Sequence, residues 1–304
     1  MYDICVIGGG PAGISSAVYA ASRGLNTLVI EQKAVGGLVG GVSTVTHYAG
    51  IISEETGSTL SARLKAQAIA AGVEIVMDKV KAVGLEGAVK TITTEKHSYE
   101  AKALIIAAGT SPRRLGIPGE QEFAGHGTML NAARDGESYA GKEMFVVGGA
   151  DGAIKEALYL AKYAKKLTII HFEDQLGAIA EFMDKVNKSK NIEVLLHKRL
   201  TEIRGNGQAD ELVLTDEHTG EQSVIHAPGC GIFIYAGSTP NTELYPSLKT
   251  EGGFLVTDEK QSTAIPGVYA AGDICVKQVR QVATAVSDGA VAAINAAAYV
   301  KAQS

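Results

Sequence analysis

Short apolar runs of strand length alternate with helical stretches along this chain. Residues 4–7 and 27–30 are strand-like runs, and the small-residue stretch 12–23 between them has the pattern of a helix. This strand–helix–strand order is typical of a parallel sheet. The order restarts at Lys142, where the run 144–147 is followed by a second helical stretch and the run 167–170. The pattern therefore predicts two α/β units.

Each unit has a glycine turn after its first strand, and the two turns differ. The first turn contains Gly8, Gly10, Pro11, Ala12 and Gly13. In a dinucleotide-binding turn the first glycine makes the bend and the second lets the backbone approach a pyrophosphate. The third allows close packing of helix on strand. The second turn keeps Gly148 but has Ala150 at the close-approach position. We therefore expect an intact dinucleotide site in the first unit and an eroded one in the second.

An acidic residue closes the second strand of the first unit. Glu31 follows Gly13 by 18 residues. At this position a carboxylate accepts hydrogen bonds from the adenosine ribose hydroxyls. The alternative is a solvated acid at a strand end.

The segments after the second unit suggest that one domain is inserted into another. The runs 192–196, 212–215 and 232–236 are hairpin-like, and the run 265–273 precedes a final helical stretch over 281–299. We interpret these last two segments as the closing strand and helix of the first domain. The predicted fold class is α/β, with two Rossmann-like three-layer domains. A nucleotide-type domain over 115–244 would be inserted into a discontinuous domain of 1–114 and 245–304.

Composition narrows the function classes. A chain of 304 residues is long enough for two domains, and its net charge of −5, from 28 basic and 33 acidic residues, has no long run of either sign. This argues against nucleic-acid and membrane-surface binding, which need a clustered basic face. Because a strand is predicted to begin by residue 3, we expect no signal peptide. Cys5, Cys230 and Cys275 are too far apart to indicate a disulfide framework or a zinc site. We expect no metal site and a reducing, cytoplasmic location.

Five segments in order resemble the low-molecular-weight thioredoxin reductase family of flavoproteins, over essentially the whole chain. They are residues 8–13, 107–110, 148–153, 272–273 and 280–281. The resemblance implies FAD in the first domain, with its pyrophosphate at the N-terminus of the helix after the first turn, and it implies a homodimer. It further implies a set of flavin contacts, namely Gly37, Leu38, His47, Val80, Ala108, Gly109, Gly272, Asp273, Arg280, Gln281 and Val282.

Some of these implied contacts carry a more specific expectation. Asp273 would bond the ribityl or phosphate region. Arg280 and Gln281 would border the flavin ring, where a helix N-terminus favours negative charge. Leu38 stands where the family often has Gln. His47 is either a flavin contact that titrates near neutral pH or a packed loop histidine.

The chain departs from the family at the redox centre. The family has a Cys-x-x-Cys just before an Asp-Gly, and here Asn131 and Arg134 occupy the two cysteine positions before Asp135 and Gly136. Neither side chain can attack a flavin or exchange with a disulfide, which requires a thiolate. Ordinary thioredoxin reduction is therefore not expected.

A second departure concerns the nicotinamide nucleotide. After the strand-like run 167–170 the family has a His-Arg-Arg cluster that binds the NADPH 2′-phosphate. Here His171 is followed by Phe172, Glu173 and Asp174. The two carboxylates would repel a 2′-phosphate but are compatible with a free ribose hydroxyl. We expect that the protein does not use NADPH. Two alternatives remain, namely that the second domain binds NADH and that it binds no nucleotide.

The leading hypothesis is an FAD-dependent oxidoreductase that exchanges electrons directly at the flavin. Residues 279–290 resemble a ferredoxin-linked, clostridial-type branch of the family, so ferredoxin or another carrier protein is the candidate partner. Arg134 would tune the flavin and Asp135 would relay a proton, unless the two simply form an ion pair. The alternatives are a ferredoxin–NAD(P) reductase-like enzyme and a non-catalytic FAD-binding redox sensor or partner subunit.

Overall fold

A computed structural model describes residues 1–129 and 131–303 of the chain. It divides into two compact units, Met1–Ser111 with Thr239–Ser304, and Pro112–Ser238. The boundaries predicted at 114/115 and 244/245 fall three and six residues further along the chain than these. One unit is thus discontinuous in sequence.

The first unit begins with the predicted strand–helix–strand segment. Its helix starts at Pro11, whose fixed φ suits the first helical position. The elements are β1 (Tyr2–Ile7), α1 (Pro11–Ala21), β2 (Thr27–Glu31), a short 3₁₀ helix (Gly37–Gly41), α2 (Gly57–Ala70), β3 (Glu74–Met77), β4 (Val80–Gly84), β5 (Lys90–Thr94), β6 (Ser98–Ile106) and β7 (Thr110–Pro112).

The second unit contains the second strand–turn–helix segment and most of the remaining strands. The elements are β8 (Thr128–Met129), α3 (Ala132–Asp135), a 3₁₀ helix (Gly136–Tyr139), β9 (Glu143–Val147), α4 (Asp151–Leu160), β10 (Lys166–Ile170), α5 (Ala180–Lys188), β11 (Ile192–Leu195), β12 (Lys198–Gly205), β13 (Ala209–Asp216), β14 (Gln222–His226) and β15 (Gly231–Ile234). The chain returns to the first unit through β16 (Ser238–Pro240), β17 (Thr250–Glu251), β18 (Phe254–Leu255), β19 (Val268–Ala270) and α6 (Val282–Ala302).

A seven-stranded sheet organises the first unit. Its strand order is β3-β2-β1-β6-β5-β4, and β19 pairs with the second half of β6. The strands β3, β2, β1, β6 and β19 are parallel, whereas β4 and β5 run antiparallel. Successive residues of β1 point to opposite faces, so that Ile4 and Val6 belong to one buried cluster and Cys5 and Ile7 to another. The sheet is covered on both faces, as parallel sheets generally are.

The last helix packs closely on the first. A Cβ at Gly289 of α6 would lie 2.2 Å from the Ala12 carbonyl oxygen of α1, so only glycine allows this approach. The final strand and helix therefore pack within the first unit. Neither α6 nor any other helix within residues 1–129 and 131–303 is both long and apolar enough to cross a membrane.

The second unit has three layers. A parallel sheet of order β11-β10-β9-β15-β8 lies between a helical cluster that includes Ile154 and Phe182 and the antiparallel sheet β12-β13-β14. The expectation of hairpin-like strands at 192–196 and 232–236 is wrong, because β11 and β15 are parallel strands of the central sheet. Only 212–215, within β13, is antiparallel to its neighbours. The predicted α/β class with two Rossmann-like domains is confirmed.

Candidate functional site

The first glycine turn leaves no space for side chains at two of the three glycines of its motif, Gly8, Gly10 and Gly13. Gly8 has φ +105°, and a Cβ there would lie 2.3 Å from the Ala107 carbonyl oxygen. At Gly13 a Cβ would lie 1.9 Å from the Gly8 carbonyl oxygen. Gly10 is different, since the nearest atom to its Cβ position is the Gly37 Cα at 4.0 Å. The two crowded glycines close the turn, and the third keeps its outer side open to a ligand.

Glu31 is held against this turn. Its side chain is buried, and its Oε2 accepts a hydrogen bond from the Gly9 backbone N–H at 2.7 Å. Its Oε1 accepts one from the Lys33 N–H, also at 2.7 Å. The solvated-acid alternative is therefore wrong. The carboxylate is fixed at the end of β2, with lone pairs left for ribose hydroxyls.

A cavity of about 350 Å³ opens at the carboxyl ends of the strands in the first unit. This volume is within the usual range for ligand sites, and such sites in α/β sheets lie at this end of the strands. Four of the predicted residues line it, namely Gly8, Glu31, Val80 and Ala108.

Two residues that sequence reasoning missed also line this cavity. The Tyr245 side chain is 1% exposed, and its hydroxyl has no hydrogen-bond partner among the described residues. Asn241 donates a hydrogen bond from Nδ2 to the Ala108 carbonyl oxygen at 2.7 Å. Both lie just after the chain re-enters the first unit, and the polar turn Thr239-Pro240-Asn241 is the one signal that could have drawn attention there.

Asp273 carries a second buried polar atom without a partner. Its Oδ1 is buried and accepts no hydrogen bond from the described residues. Desolvation raises the pKa of this carboxyl, against the lowering effect of Lys277 and Arg280. Gly272 before it has φ +83°, and its N–H donates to Asp288 Oδ2 at 3.0 Å. Uncompensated buried oxygens are unfavourable, so Asp273 is suited to accept a ligand hydroxyl.

Arg280, expected to border the flavin ring, is held by neighbouring groups of its own unit. Its guanidinium donates to the carbonyl oxygens of Cys275 and Lys277, at 3.3 and 3.1 Å. It also lies over the Phe254 ring, 4.0 Å from the centroid. Gln281 is the N-cap of α6 and Val282 its first residue. The helix N-terminus is thus formed as predicted, while the arginine is engaged by neighbouring backbone.

The remaining predicted contacts lie in two loops of the first unit. Gly37 has φ +57°, and its Cβ position is 3.2 Å from the Gly10 Cα, so this loop touches the first turn. Leu38 beside it is 52% exposed. His47 is exposed and bonded through Nδ1 to Thr46 Oγ1 at 2.9 Å, so the packed-histidine alternative is wrong. Gly109 has φ +60° and lies at the end of the β6 segment.

The second glycine turn keeps its backbone shape. Gly148 has φ +136°, and a Cβ there would lie 2.4 Å from the Tyr235 carbonyl oxygen. Ala150 is the unstrained N-cap of α4, with φ −84° and ψ 171°. At Gly149 a Cβ would lie 2.6 Å from the His171 ring. A cavity of about 480 Å³ lies over this turn, so the methyl group of Ala150 has not closed the site.

Four cations line this second cavity, and two of them, Lys198 and Arg199, are paired with carboxylates, while Arg114 donates to the Gln121 side-chain oxygen. Arg199 donates to Glu217 from two nitrogens at 2.7 and 3.1 Å, and its guanidinium lies over the Phe172 ring. Lys198 donates to Asp216 at 2.7 Å. Paired charges of this kind offer less to a phosphate than free arginines do.

The positions of the missing cysteines have a structural role. Asn131 is the N-cap of α3, and its Oδ1 accepts from the Arg134 N–H at 2.8 Å. Arg134 forms a two-point ion pair with Asp135, at 2.6 and 2.8 Å, and its side chain is 72% exposed. Arg134 and Asp135 line a cavity of about 550 Å³ together with Tyr139 and Lys142. This geometry agrees with the alternative in which Arg134 and Asp135 simply form an ion pair.

None of the three cysteines is poised as a nucleophile. Cys5, Cys230 and Cys275 are free and buried. Desolvation raises the pKa of the Cys5 thiol well above its usual range, and that of Cys230 and Cys275 to about 12. At neutral pH each is a protonated thiol.

Comparison with known proteins places this architecture in a family. The family model Pyridine nucleotide-disulphide oxidoreductase matches residues 2–289. The chain is 40% identical to thioredoxin reductase of Peptoclostridium acidaminophilum, over 99% of this chain and 98% of that protein. Its structure is similar to that of Lactococcus lactis thioredoxin reductase, with a TM-score of 0.96 and 34% identity over 99% of this chain and 100% of that one.

A third relative has ferredoxin in its name. The ferredoxin-flavin thioredoxin reductase of Clostridium acetobutylicum is 29% identical, covering 99% of this chain and 98% of that chain, with a TM-score of 0.54. The chain belongs to the pyridine nucleotide-disulphide oxidoreductase family, as a thioredoxin reductase-like oxidoreductase.

Proposed function

We propose that this protein is an FAD-dependent oxidoreductase that exchanges electrons directly at the flavin, with neither an internal disulfide nor NADPH. The observation that carries the proposal is the contrast between a complete dinucleotide cradle in the first unit and Asn131 and Arg134 at the cysteine positions. We further propose a cytoplasmic homodimer, by analogy with the family.

The residues of the first unit fit FAD. The close-packed turn presents backbone N–H groups and the N-terminus of α1, both suited to a pyrophosphate. Glu31 is fixed where a ribose would lie. Tyr245 and Asp273 each offer a buried oxygen that has no other partner among the described residues. When bound, FAD supplies the one- and two-electron chemistry that the side chains lack.

The cysteine positions support the proposal that no internal disulfide operates. Thiol–disulfide exchange needs a thiolate with a nearby partner thiol. The three cysteines are separated by 225 residues (230 − 5) and 45 residues (275 − 230). All are buried, with pKa values raised by desolvation. These features favour electron transfer that does not pass through a cysteine relay inside one chain.

The second unit supports the proposal that NADPH is not the donor. Glu173 is at the cavity over the second turn and would repel a 2′-phosphate. Because the cavity is open and Ala150 is unstrained, NADH stays compatible with the site. This open cavity favours the second candidate function, a ferredoxin–NAD(P) reductase-like enzyme.

A carrier protein is the proposed electron donor. The resemblance of residues 279–290 to the ferredoxin-linked branch supports ferredoxin, and one structural relative is described by name as ferredoxin-flavin dependent. A carrier that delivers electrons at the flavin needs neither a working nucleotide site nor a cysteine pair. Flavin tuning by Arg134 and proton relay by Asp135 are a secondary proposal, because the two side chains pair with each other.

A cysteine-free variant tests this proposal. We expect Cys5→Ala with Cys230→Ala and Cys275→Ala to keep FAD and to keep the wild-type rate of flavin reduction by reduced ferredoxin. A large loss of that rate with FAD still bound would contradict the proposal. Alkylation of the native wild type gives an independent answer. The number of reactive thiols should be the same before and after flavin reduction, whereas a redox disulfide would add two.

Flavin reduction by ferredoxin also distinguishes the third hypothesis, that of a non-catalytic protein. A non-catalytic sensor or partner subunit would hold FAD but would be reduced only by dithionite or light. Reduction by ferredoxin, followed by reoxidation with a specific acceptor, identifies an enzyme.

A further inference from the structure

Three side chains of the second unit meet outside the lining of the cavity over its glycine turn. The Nδ1 atom of His197 lies 3.1 Å from Asp174 Oδ1 and 2.8 Å from His218 Nε2. The remaining side of the triangle, from His218 Nε2 to Asp174 Oδ1, is 3.9 Å. Two imidazole nitrogens and one carboxylate oxygen therefore face a common point.

The local backbone presents the two histidines from ordered turns. His197 lies between β11 and β12 in the left-handed region, with φ +57°. Its N–H donates to the Glu173 carbonyl oxygen, and its own carbonyl accepts from the Glu217 N–H at 2.8 Å. His218 lies in the turn between β13 and β14, where its N–H donates to Asp216 Oδ1 at 2.9 Å. Positive φ is uncommon outside glycine, so the His197 conformation is held by its surroundings.

Hydrogen bonding alone satisfies this triangle incompletely. Only one proton fits in the short contact between the two imidazole nitrogens. The two histidines and the carboxylate must then share that single proton. A divalent cation accepts all three lone pairs at once. The side-chain exposures of 32% for His197, 63% for His218 and 83% for Asp174 leave solvent free to complete the coordination.

The distances match a tetrahedral ion. Metal–nitrogen and metal–oxygen bonds of about 2.0–2.2 Å at a tetrahedral angle put neighbouring ligand atoms about 3.3–3.6 Å apart. The observed sides of 2.8, 3.1 and 3.9 Å bracket that range. Imidazole ligands suit zinc and its neighbours in the first transition row, whereas calcium and magnesium prefer oxygen alone.

We propose that Asp174, His197 and His218 form a binding site for a divalent transition-metal ion, with zinc as the best fit and water as the fourth ligand. This site departs from the expectation of no metal site, which rested on cysteine spacing, because these ligands come from three separate segments. The site goes beyond the proposed flavin chemistry and does not depend on it.

The ion would join three parts of the second unit. Asp174 is in the loop after β10, His197 precedes β12 and His218 is in the β13–β14 turn. Glu173 and Lys198, the sequence neighbours of two ligands, both line the cavity over the second turn. A bound ion would therefore fix the loop that borders this cavity.

Zinc titration of the purified holoprotein tests the site. After removal of metal with a chelator, zinc is titrated in competition with a chromophoric chelator. We expect one ion per chain, with binding weakened about tenfold or more in Asp174→Asn, His197→Asn and His218→Gln. Asparagine is chosen at 197 because it tolerates positive φ. Cobalt in place of zinc should give the intense visible bands of a tetrahedral site, and His218→Gln should remove them.

The matched control is His226→Gln. His226 is an exposed histidine of β14 that pairs with Glu211 outside the cluster. It should leave zinc affinity unchanged. Equal binding by wild type and His218→Gln, or no stoichiometric binding by the wild type, would overturn the proposal. Since His218 is largely exposed, its variant decides the question even if the others fold poorly. Flavin absorbance, followed in parallel, reports the proposed FAD site separately.

Discussion

The two glycine turns share a backbone but differ in what surrounds it. Gly10 (φ −73°, ψ −178°) and Ala150 (φ −84°, ψ 171°) have nearly the same conformation. The third glycine position differs, because the first turn excludes any Cβ at Gly13 while the second contains the methyl group of Ala153. The first turn therefore packs more tightly around the Gly8 carbonyl oxygen than the second turn packs at the matching position.

The side chain at the end of the next strand differs as well. Glu31 accepts the Gly9 N–H through a carboxylate, whereas at the matching position the His171 ring lies against Gly149. His171 Nδ1 has no partner among the described residues, and Nε2 is 3.2 Å from Glu173 Oε2. One turn keeps the groups that bind a dinucleotide, and the other keeps mainly the shape. A domain can thus keep its fold after its site has lost the groups that carry the chemistry.

The largest expected effect comes from Gly13→Ala. The new methyl group would collide with the Gly8 carbonyl oxygen at 1.9 Å, so the turn must open. We expect a loss of about 3 kcal/mol in the free energy of unfolding, together with loss of FAD. The matched change in the second turn, Ala153→Gly, should cost only about 1 kcal/mol and leave FAD content unchanged. Chemical denaturation and flavin absorbance check both. Equal effects of the two changes would show that the turns are equivalent.

Glu31→Ala should have the next largest effect. It removes the acceptor of two backbone N–H groups and leaves that of Gly9 buried without a partner. We expect about 2–3 kcal/mol of destabilisation and weaker FAD binding, measured by denaturation and by flavin release. Glu31→Gln, which keeps one acceptor oxygen, should lose less. His171→Ala, the counterpart in the second unit, should not change FAD affinity, and a change there would contradict the separation of the two sites.

Asp273→Asn should weaken FAD binding about tenfold and yet stabilise the apoprotein at neutral pH. Burial raises the pKa of Asp273 in the folded state, so the folded protein binds its proton more tightly than the unfolded chain does. Its contribution to stability is therefore present at low pH and is lost as pH rises through the raised pKa. Asparagine carries no charge and removes that loss.

Stability of the apoprotein against pH, measured for both forms, checks this sign. Wild type and Asp273→Asn should converge in acid and diverge above the ordinary aspartate value of 3.8. A variant that is less stable than wild type at neutral pH without FAD would contradict the account of Asp273.

Arg134→Ala should have the smallest effect. The guanidinium is exposed and already paired with Asp135, so we expect a stability change below about 1 kcal/mol. If the pair is only a surface contact, the flavin potential will also be unchanged. A shifted potential, measured by equilibrium with a reference dye, would restore the tuning role expected from the sequence.

Much of the first site was predictable because its signals are local. The spacing of Gly8, Gly10 and Gly13 and the position of Glu31 follow from a single strand–helix–strand segment. Tyr245 was not predictable, because a tertiary return of the chain brings it to the cavity. The engagement of Arg280 by carbonyl oxygens is likewise invisible in sequence.

The strand errors have a physical reason. The apolar runs at β11 and β15 are short, and periodicity alone does not distinguish a parallel partner from an antiparallel one. The candidate metal site combines residues 23 (197 − 174) and 21 (218 − 197) positions apart, a spacing without a recognisable motif. Contacts between residues far apart in the sequence determine both the strand partners and the candidate metal site.

Anaerobic reduction of the bound flavin, followed by its absorbance with NADPH, NADH and reduced ferredoxin in parallel, tests the central claim most directly. The account predicts that reduced ferredoxin bleaches the flavin and that NADPH leaves its absorbance unchanged. Rapid, stoichiometric bleaching by NADPH would contradict the claim that the second turn no longer serves that donor.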